Sequence, residues 1–414
     1  MKVDVIINLK KYLKNRLIFS IKFNLNKNSN KLVFNLLKIE TGIELKNIEV
    51  LDTDNNKINY SIEDNLIVID KQIFTLNYEV DSIFKNPVGY NRSVEFLYPF
   101  LNEREIFLGS GSIPYPVNLA EISDDIDFVI DIINLPENWN ILSNIKFGIK
   151  NPPILDTFFI YCSIKKSSYL NIYHGKNSNI KFNITIQENR EIPISIEDLF
   201  LYINKYCRWL EKNLAPLRKI DKIDILILQA PLTFKQLTNN ESSATGENML
   251  NAILLYGPND NNYYKKLFGY KGYDRFIYDA ITHELMHSYT TTSWQGKYKS
   301  ILYPSLKCSY YNARVIGELL NIYFHNKYLY DYFNHSDDFI TEVIHEGYLK
   351  KSLMPLFLLD RYLQKENTSL LELFSKLLFF NKGAFDSLDI LFKTSQKELG
   401  ITIKDYFNQK KLKE

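Results

Sequence analysis

The sequence predicts an α+β fold in two parts. An N-terminal antiparallel β domain is expected over residues 1–190, and a domain with a small sheet and a helical lobe is expected over 191–414. In the first part, short runs of β-branched and aromatic residues recur between polar turns. After the composition changes near Pro193, longer segments with helical spacing of apolar residues predominate. A chain of 414 residues is long enough for two or three domains.

The strands of the first part are predicted from alternation. In residues 180–186 every second residue is apolar, which is the period of a half-buried strand. Polar turns are expected at 54–56 and 175–178. The pattern favours a β-sandwich or a curved antiparallel sheet. The other candidate strands are Leu17–Leu25, Leu32–Leu37, Leu66–Ile69, Ile73–Val80 and Ile126–Leu135.

The second part begins with a predicted helix. Ser195 is the expected N-cap, Asp198 lies near the N3 position, and the helix should end near Asn213. Two compact apolar strands are expected next, at 223–228 and 250–256. From residue 311 onward helical patterns dominate. They cover about 312–328, 338–349, 351–364, 368–380 and 402–410.

Composition limits the classes of function. Lysine and arginine (50) nearly balance aspartate and glutamate (48), which gives no indication of a dedicated nucleic-acid or membrane surface. No run of about 18 apolar residues occurs, so no membrane span is expected. The N-terminal apolar run is too short for a signal peptide. These features predict a cytoplasmic protein and leave its oligomeric state open.

The three cysteines, Cys162, Cys207 and Cys308, are far apart in the sequence. Their odd number and wide spacing argue against a disulfide framework and against a cysteine-based zinc site. We expect each to be a small buried hydrophobic residue.

The main chemical motif is His-Glu-x-x-His at residues 283–287. On a helix, His283 and His287 lie on one face, one turn apart, so both imidazoles can bind one metal ion. Glu284 lies one step round the helix, where a carboxylate can act as general base on an activated water. Residues 273–289 contain no proline or glycine, which favours a helix. The sequence therefore predicts a site for one Zn²⁺ per chain.

A catalytic zinc site usually takes three protein ligands. Glu318 is the best candidate for the third, because it is an acidic residue within an otherwise apolar helical stretch. A buried carboxylate is costly without a partner, and zinc is such a partner. A salt bridge from Glu318 to Arg314, one turn earlier, is the alternative. The competing ligand candidates, each expected at the surface, are His325, Glu342, His345 and Glu346.

Together, the His-Glu-x-x-His motif, Gly317-Glu318 and the following Tyr323-Phe324 resemble the gluzincin zinc metallopeptidases, which are related to aminopeptidase N. Thirty residues separate His287 from Glu318. This spacing is longer than the aminopeptidase N pattern and resembles that of the glycyl aminopeptidase family. The resemblance implies an N-terminal β domain, then a thermolysin-like catalytic domain, with a helical C-terminal lobe here.

The resemblance also implies roles for three further residues. Tyr348 matches the tyrosine of a Tyr-x-Lys-Gly motif that hydrogen-bonds the oxyanion, although Lys351 replaces the glycine. Gly246 and Glu247 match part of a glycine-and-glutamate segment whose carboxylate binds the substrate's amino group.

The implied activity is zinc-dependent hydrolysis of a peptide substrate, with Glu284 as general base. If Glu247 anchors an N-terminal ammonium, the enzyme is an aminopeptidase, and otherwise it cuts internally. The strand at 250–256 is expected to pair with the extended substrate.

Two alternatives remain open from the sequence. In the first, the chain keeps the fold as a catalytically inactive peptide-binding or assembly module, although the intact Glu284 counts against this. In the second, it hydrolyses a non-peptide amide or an epoxide.

Overall fold

The fold is taken from a computed structural model of the chain. The residues that it describes are 2–14, 16–24, 32–35, 37–38, 43–63, 66–81, 100–101, 103–109, 127–151, 158–164, 167–176, 179–188, 190–214, 220–229, 245–249, 251–257, 272–290, 321–328, 359–380, 396–397 and 400.

The first fourteen strands form three sheets with seven, four and three strands. The strand bounds are β1 Lys2–Asn8, β2 Arg16–Asn24, β3 Leu32–Asn35, β4 Leu37–Lys38, β5 Ile43–Leu51, β6 Ser61–Glu63, β7 Leu66–Ile69, β8 Ile73–Asp81, β9 Phe100–Leu101, β10 Glu105–Gly109, β11 Asp127–Ile133, β12 Asn140–Ser143, β13 Lys150–Asn151 and β14 Phe159–Ser163.

Alternation in the sequence explains this region. In β2 the buried residues are Leu17, Phe19, Ile21 and Phe23, at every second position, as expected for a half-buried strand. Pairing is mostly antiparallel, but β1 pairs with β11 in parallel. The predicted strands are thus confirmed, and the purely antiparallel expectation needs that one correction. The buried hydrophobic residues of this region form one core, and they lie between Val3 and Cys162 in the sequence.

A five-stranded sheet forms the centre of the second region, in the order β15-β16-β17-β19-β18. Its strands are β15 Ser167–His174, β16 Asn179–Ile186, β17 Lys222–Gln229, β18 Thr245–Met249 and β19 Ala252–Gly257. The predicted strands at 223–228 and 250–256 are confirmed as β17 and β19. The parallel pairs are β16 with β17 and β17 with β19.

The position of β15 and β16 differs from expectation. Both fall within residues 1–190, which the sequence analysis placed in the N-terminal β domain. In the structure they pair with each other, and β16 pairs with β17. The buried residues form two hydrophobic cores. In sequence, the first core ends at Cys162 and the second begins at Tyr173. We therefore propose a domain division between β14 and β15.

The helix predicted after residue 195 is confirmed as α1, Ile196–Asn213. Ser195 is its N-cap, and its Oγ accepts a hydrogen bond of 3.0 Å from the backbone N–H of Asp198. The buried face carries Leu199, Tyr202, Ile203, Tyr206, Cys207 and Leu210. This three- and four-residue spacing is that of an amphipathic helix packed on a core.

Further helices pack on the same core. They are α2, Gly272–Thr290, the helical segments 321–328 and 359–365, and α3, Leu370–Phe380. These positions agree with four of the predicted helical patterns. The expected helices at 338–349 and 402–410 lie outside the described residues. Of the helices in the described part of the chain, none has the length and apolar character needed to cross a bilayer.

Two of the three cysteines fall in described regions. Cys162 and Cys207 are buried free thiols, and burial raises the pKa of both. This confirms the expectation that they are small buried residues with no disulfide. Cys308 lies outside the described residues.

Glu105 on β10 joins the two regions. Its carboxylate is buried and accepts hydrogen bonds from Tyr161 Oη (2.9 Å), Gln187 Nε2 (2.7 Å) and the Glu188 backbone N–H (3.2 Å). Tyr161 belongs to β14, and residues 187–188 follow β16. Because the buried carboxylate has donors from both sides, it holds the N-terminal sheets against the second region.

Asp360 is a second buried carboxylate, and it connects the later helices. It accepts hydrogen bonds from Tyr323 Oη (2.8 Å), Lys327 Nζ (2.8 Å) and the Leu370 backbone N–H (2.6 Å). The last of these satisfies a backbone donor at the start of α3. Asp360 therefore fixes the segment 321–328 relative to α3.

Replacing Asp360 with Ala is expected to lower the free energy of unfolding by about 3–5 kcal/mol, because it leaves Lys327 and two buried donors without their acceptor. Urea titration followed by circular dichroism measures the change. Glu366→Ala is the matched control, because Glu366 lies exposed in the turn before α3, and it should change stability by less than about 0.5 kcal/mol. Equal losses in both variants would contradict the role of Asp360.

Candidate metal centre

Helix α2 carries the His-Glu-x-x-His motif, as predicted. Its apolar face buries Ile277, Ile281 and Leu285, and the helix packs against α1, β18 and β19. Tyr202 of α1 hydrogen-bonds Thr282, and its ring packs against that of Tyr278 at a tilt of 42°, with centroids 4.2 Å apart. These contacts fix the rotation of the helix about its axis.

The two motif histidines converge. Their Nε2 atoms are 3.2 Å apart, and the rings are nearly perpendicular, with centroids 4.8 Å apart. His287 exposes 9% of its surface, and His283 is partly buried. Two nitrogens bound to one tetrahedral zinc, each about 2.0–2.1 Å from it, are about 3.3 Å apart. The spacing of the pair therefore fits two ligands of a single zinc ion.

Glu284 lies beside this pair and exposes only 6% of its surface. One ligand atom from each of Glu284, His283 and His287 lies within 4.8 Å of the others. Within the described ranges, this is the one group of three or more such side chains with the spacing of a metal site. Because Glu284 is buried, its carboxylate is only weakly screened by water and interacts strongly with a nearby cation.

His325 is buried, which corrects the expectation that it lies at the surface. It exposes 5% of its surface. Its Nδ1 atom lies 3.2 Å from Nδ1 of His283, and its Nε2 lies 3.0 Å from Oδ1 of Asp279. The sequence did carry a signal for this arrangement, because Asp279, His283 and His287 recur at intervals of four and form one row on α2.

Gly246 and Glu247 lie on β18, at the edge of the sheet against which α2 packs. In the register, Gly246 is opposite Leu255 and Glu247 is opposite Leu254 of β19. The expectation that the strand at 250–256 pairs with substrate is wrong, because β19 is flanked on both sides by β17 and β18. The edge beside the metal helix is β18.

The remaining site candidates fall in regions that are not described. Glu318, proposed as the third ligand, and Tyr348, proposed as the oxyanion donor, lie outside the described residues. The same holds for Glu342, His345 and Glu346.

Comparison of the fold with solved structures finds aminopeptidases and a zinc metallopeptidase. An aminopeptidase N family protein from Idiomarina loihiensis matches with a TM-score of 0.60 at 9% identity, over 98% of this chain and 75% of that chain. An M1 zinc metallopeptidase from Deinococcus radiodurans matches with a TM-score of 0.52 at 8% identity, over 97% of this chain and 90% of that chain. A variant of it was crystallised with a Tyr-Ser-Ala substrate.

Aminopeptidase A from Legionella pneumophila, in complex with aspartic acid, matches with a TM-score of 0.56 at 12% identity, over 98% of this chain. This chain spans 48% of the length of that protein. No family model and no curated protein matches the sequence. The likeness is therefore one of fold, and it is shared with an aminopeptidase N family protein and an M1 zinc metallopeptidase.

Proposed function

We propose that this chain is a zinc-dependent metallopeptidase that acts as an aminopeptidase. The observation that carries the proposal is the convergence of the His283 and His287 Nε2 atoms to 3.2 Å beside the buried Glu284. The fold, shared with M1 zinc aminopeptidases, supports the same conclusion.

The proposed ligands of one zinc ion per chain are His283, His287 and Glu318. Glu318 precedes His325 by seven residues. If the helix that the sequence predicts over 312–328 is continuous, residues seven apart in it lie on the same face, two turns from each other. Because the ring of His325 lies against His283 of α2, this spacing supports Glu318 as the ligand that approaches from the second helix.

When bound, the zinc ion supplies a Lewis acid that activates water and polarises the scissile carbonyl. Glu284 takes the proton of the attacking water and passes it to the leaving amine. Its burial supports this role, since no bulk water competes for the carboxylate. The Tyr348 hydroxyl donates to the developing oxyanion.

The substrate is proposed to be a peptide that extends along β18. Among the described strands β18 lies at the edge of the sheet, where an extended peptide can add as a further strand through backbone hydrogen bonds. Glu247 belongs to this strand, and its carboxylate is proposed to bind the N-terminal ammonium. A free amino terminus would then place the first peptide bond at the metal site.

Replacing Glu247 with Gln is expected to raise KM for peptides with a free amino terminus by about 10- to 100-fold, because a charge-assisted hydrogen bond contributes about 1.5–3 kcal/mol. Steady-state kinetics on a tripeptide and its N-acetylated form measure the effect. Wild type should discriminate strongly against the acetylated form, and Glu247→Gln should lose most of this discrimination. An unchanged ratio would show that Glu247 is not the ammonium anchor and would favour internal cleavage.

The proposed function is tested by zinc analysis together with a hydrolysis screen of peptides and aminoacyl amides. We expect about one zinc per chain and cleavage from the amino terminus. Peptide binding without turnover in the zinc-loaded protein would favour the inactive module instead. Turnover confined to non-peptide amides or epoxides would show that the proposed substrate class is wrong, while the proposed metal site would stand.

A further inference from the structure

We propose that Asp279 and His325 form a two-residue relay that holds His283 in the tautomer able to bind zinc. The relay rests on the proposed zinc function and deepens it. Its two members are positioning residues, since neither offers an atom to the point on which His283 and His287 converge.

The four side chains form a continuous series of polar contacts. Asp279 Oδ1 lies 3.0 Å from His325 Nε2, His325 Nδ1 lies 3.2 Å from His283 Nδ1, and His283 Nε2 lies 3.2 Å from His287 Nε2. The His325 side chain is 7% exposed, against 34% for that of Asp279. The series thus begins at the half-buried carboxylate of Asp279 and ends at the two histidines proposed to bind zinc.

The positions of the protons follow from these contacts. A neutral imidazole has one N–H and one lone pair. If Nε2 of His283 binds a metal, its proton lies on Nδ1 and faces Nδ1 of His325. That nitrogen must then accept, so the proton of His325 lies on Nε2. There it donates to Asp279, whose carboxylate can only accept.

The opposite tautomer of His325 has a partner of its own. The backbone carbonyl oxygen of Asn321 lies 3.1 Å from His325 Nδ1 and would accept a proton placed there. In that state the His325 and His283 N–H groups would point at each other, and the Nε2 lone pair would face Asp279. The carboxylate disfavours this arrangement, so Asp279 sets the tautomer of His325, and His325 sets that of His283.

Such outer partners orient a ligand histidine and raise its basicity, and their loss typically costs 10- to 100-fold in metal affinity. The relay here has two members because the residue beside His283 is itself a histidine. A neutral histidine can accept at Nδ1 only when its proton lies on Nε2, and an acceptor facing Nε2 favours that tautomer. Asp279, one turn before His283 on α2, provides that acceptor.

The test measures zinc dissociation constants by chelator competition, which does not depend on activity. His325→Ala is expected to bind zinc about 10- to 100-fold more weakly. His325→Asn is expected to stay close to wild type, because Asn Oδ1 stands at the same bond count from Cα as His Nδ1 and also accepts. Asp279→Ala removes the acceptor of His325 Nε2, so it should weaken zinc binding in wild type and have no effect in the His325→Asn background, since Asp279 acts through His325.

The matched control is Asn326→Ala, which removes a 2.7 Å hydrogen bond to the Ile322 carbonyl on the same segment without touching the series. It should leave zinc affinity unchanged, and thermal unfolding of the metal-free variants should confirm that they fold. Nitrogen-15 shifts of the histidine rings should place the His283 proton on Nδ1 in the zinc-loaded wild type.

Zinc binding by His325→Ala at wild-type strength would overturn the relay alone, with the proposed function intact. So would equal losses in His325→Ala and His325→Asn, which would indicate packing rather than an acceptor role. Wild-type protein that binds no zinc at all would instead overturn the proposed function. The failures of the two proposals are therefore distinguishable.

Discussion

Replacing Glu284 with Gln is expected to lower the rate of peptide hydrolysis by about 10²–10⁴-fold while zinc stays bound. Glutamine has nearly the shape of glutamate but cannot accept the proton of the attacking water. General acid–base catalysis contributes about 10²–10⁴-fold to the rate, so kcat should fall by that factor. Because Glu284 and the metal-binding histidines occupy separate positions in the motif, zinc content should remain near that of wild type.

The measurement combines steady-state kinetics with elemental analysis of the same samples. Glu197→Gln is the matched control, because it makes the same substitution at an exposed site in the first turn of α1, and it should leave kcat unchanged. Full activity in Glu284→Gln would contradict the role of Glu284 as general base. Loss of zinc in this variant would instead make Glu284 a ligand.

Replacing Glu318 with Ala is expected to weaken zinc binding by more than about 100-fold, beyond the range typical for outer partners of a metal site. Removing one of three protein ligands leaves only the histidine pair, and a catalytic zinc site usually needs three. Chelator competition measures the affinity, and circular dichroism checks that the variant folds.

The competing candidates provide the comparison for this second result. Glu342→Ala, His345→Ala and Glu346→Ala should each bind zinc as wild type does. If one of them loses zinc while Glu318→Ala retains it, the third ligand is that residue. Retention by all four variants would leave a two-histidine site and argue against a three-ligand catalytic centre.

Local features of the chain were predictable where the physical cause is itself local. The N-cap at Ser195 depends on a hydrogen bond to a residue three positions away, and it was predicted to the residue. The convergence of His283 and His287 follows from helical periodicity alone. The strands of the first region follow from the alternation of apolar and polar residues. This alternation indicates that one face of a strand is buried, but it does not identify the neighbouring strand.

Features that depend on distant partners were not predictable in the same way. Strands β15 and β16 alternate like the earlier strands, and nothing in that pattern indicates that β16 pairs with β17 across the intervening α1. His325 was expected at the surface, as one of the competing candidates for the third ligand. It can be buried because both of its ring nitrogens have polar partners on α2: Nε2 contacts Asp279, and Nδ1 contacts His283.

The sequence by itself determined the chemistry of the site: a helix with two histidines one turn apart and a carboxylate beside them. Only the tertiary structure decided which of the described strands forms the edge of the sheet beside that helix, and which side chains contact the histidines on the side away from the metal site. The periodic spacing of apolar residues in helices and strands extends over a few neighbouring residues, so it can be recognised in the sequence alone. Strand order and buried polar contacts depend on which distant segments share a core, and they exist only once the chain has folded.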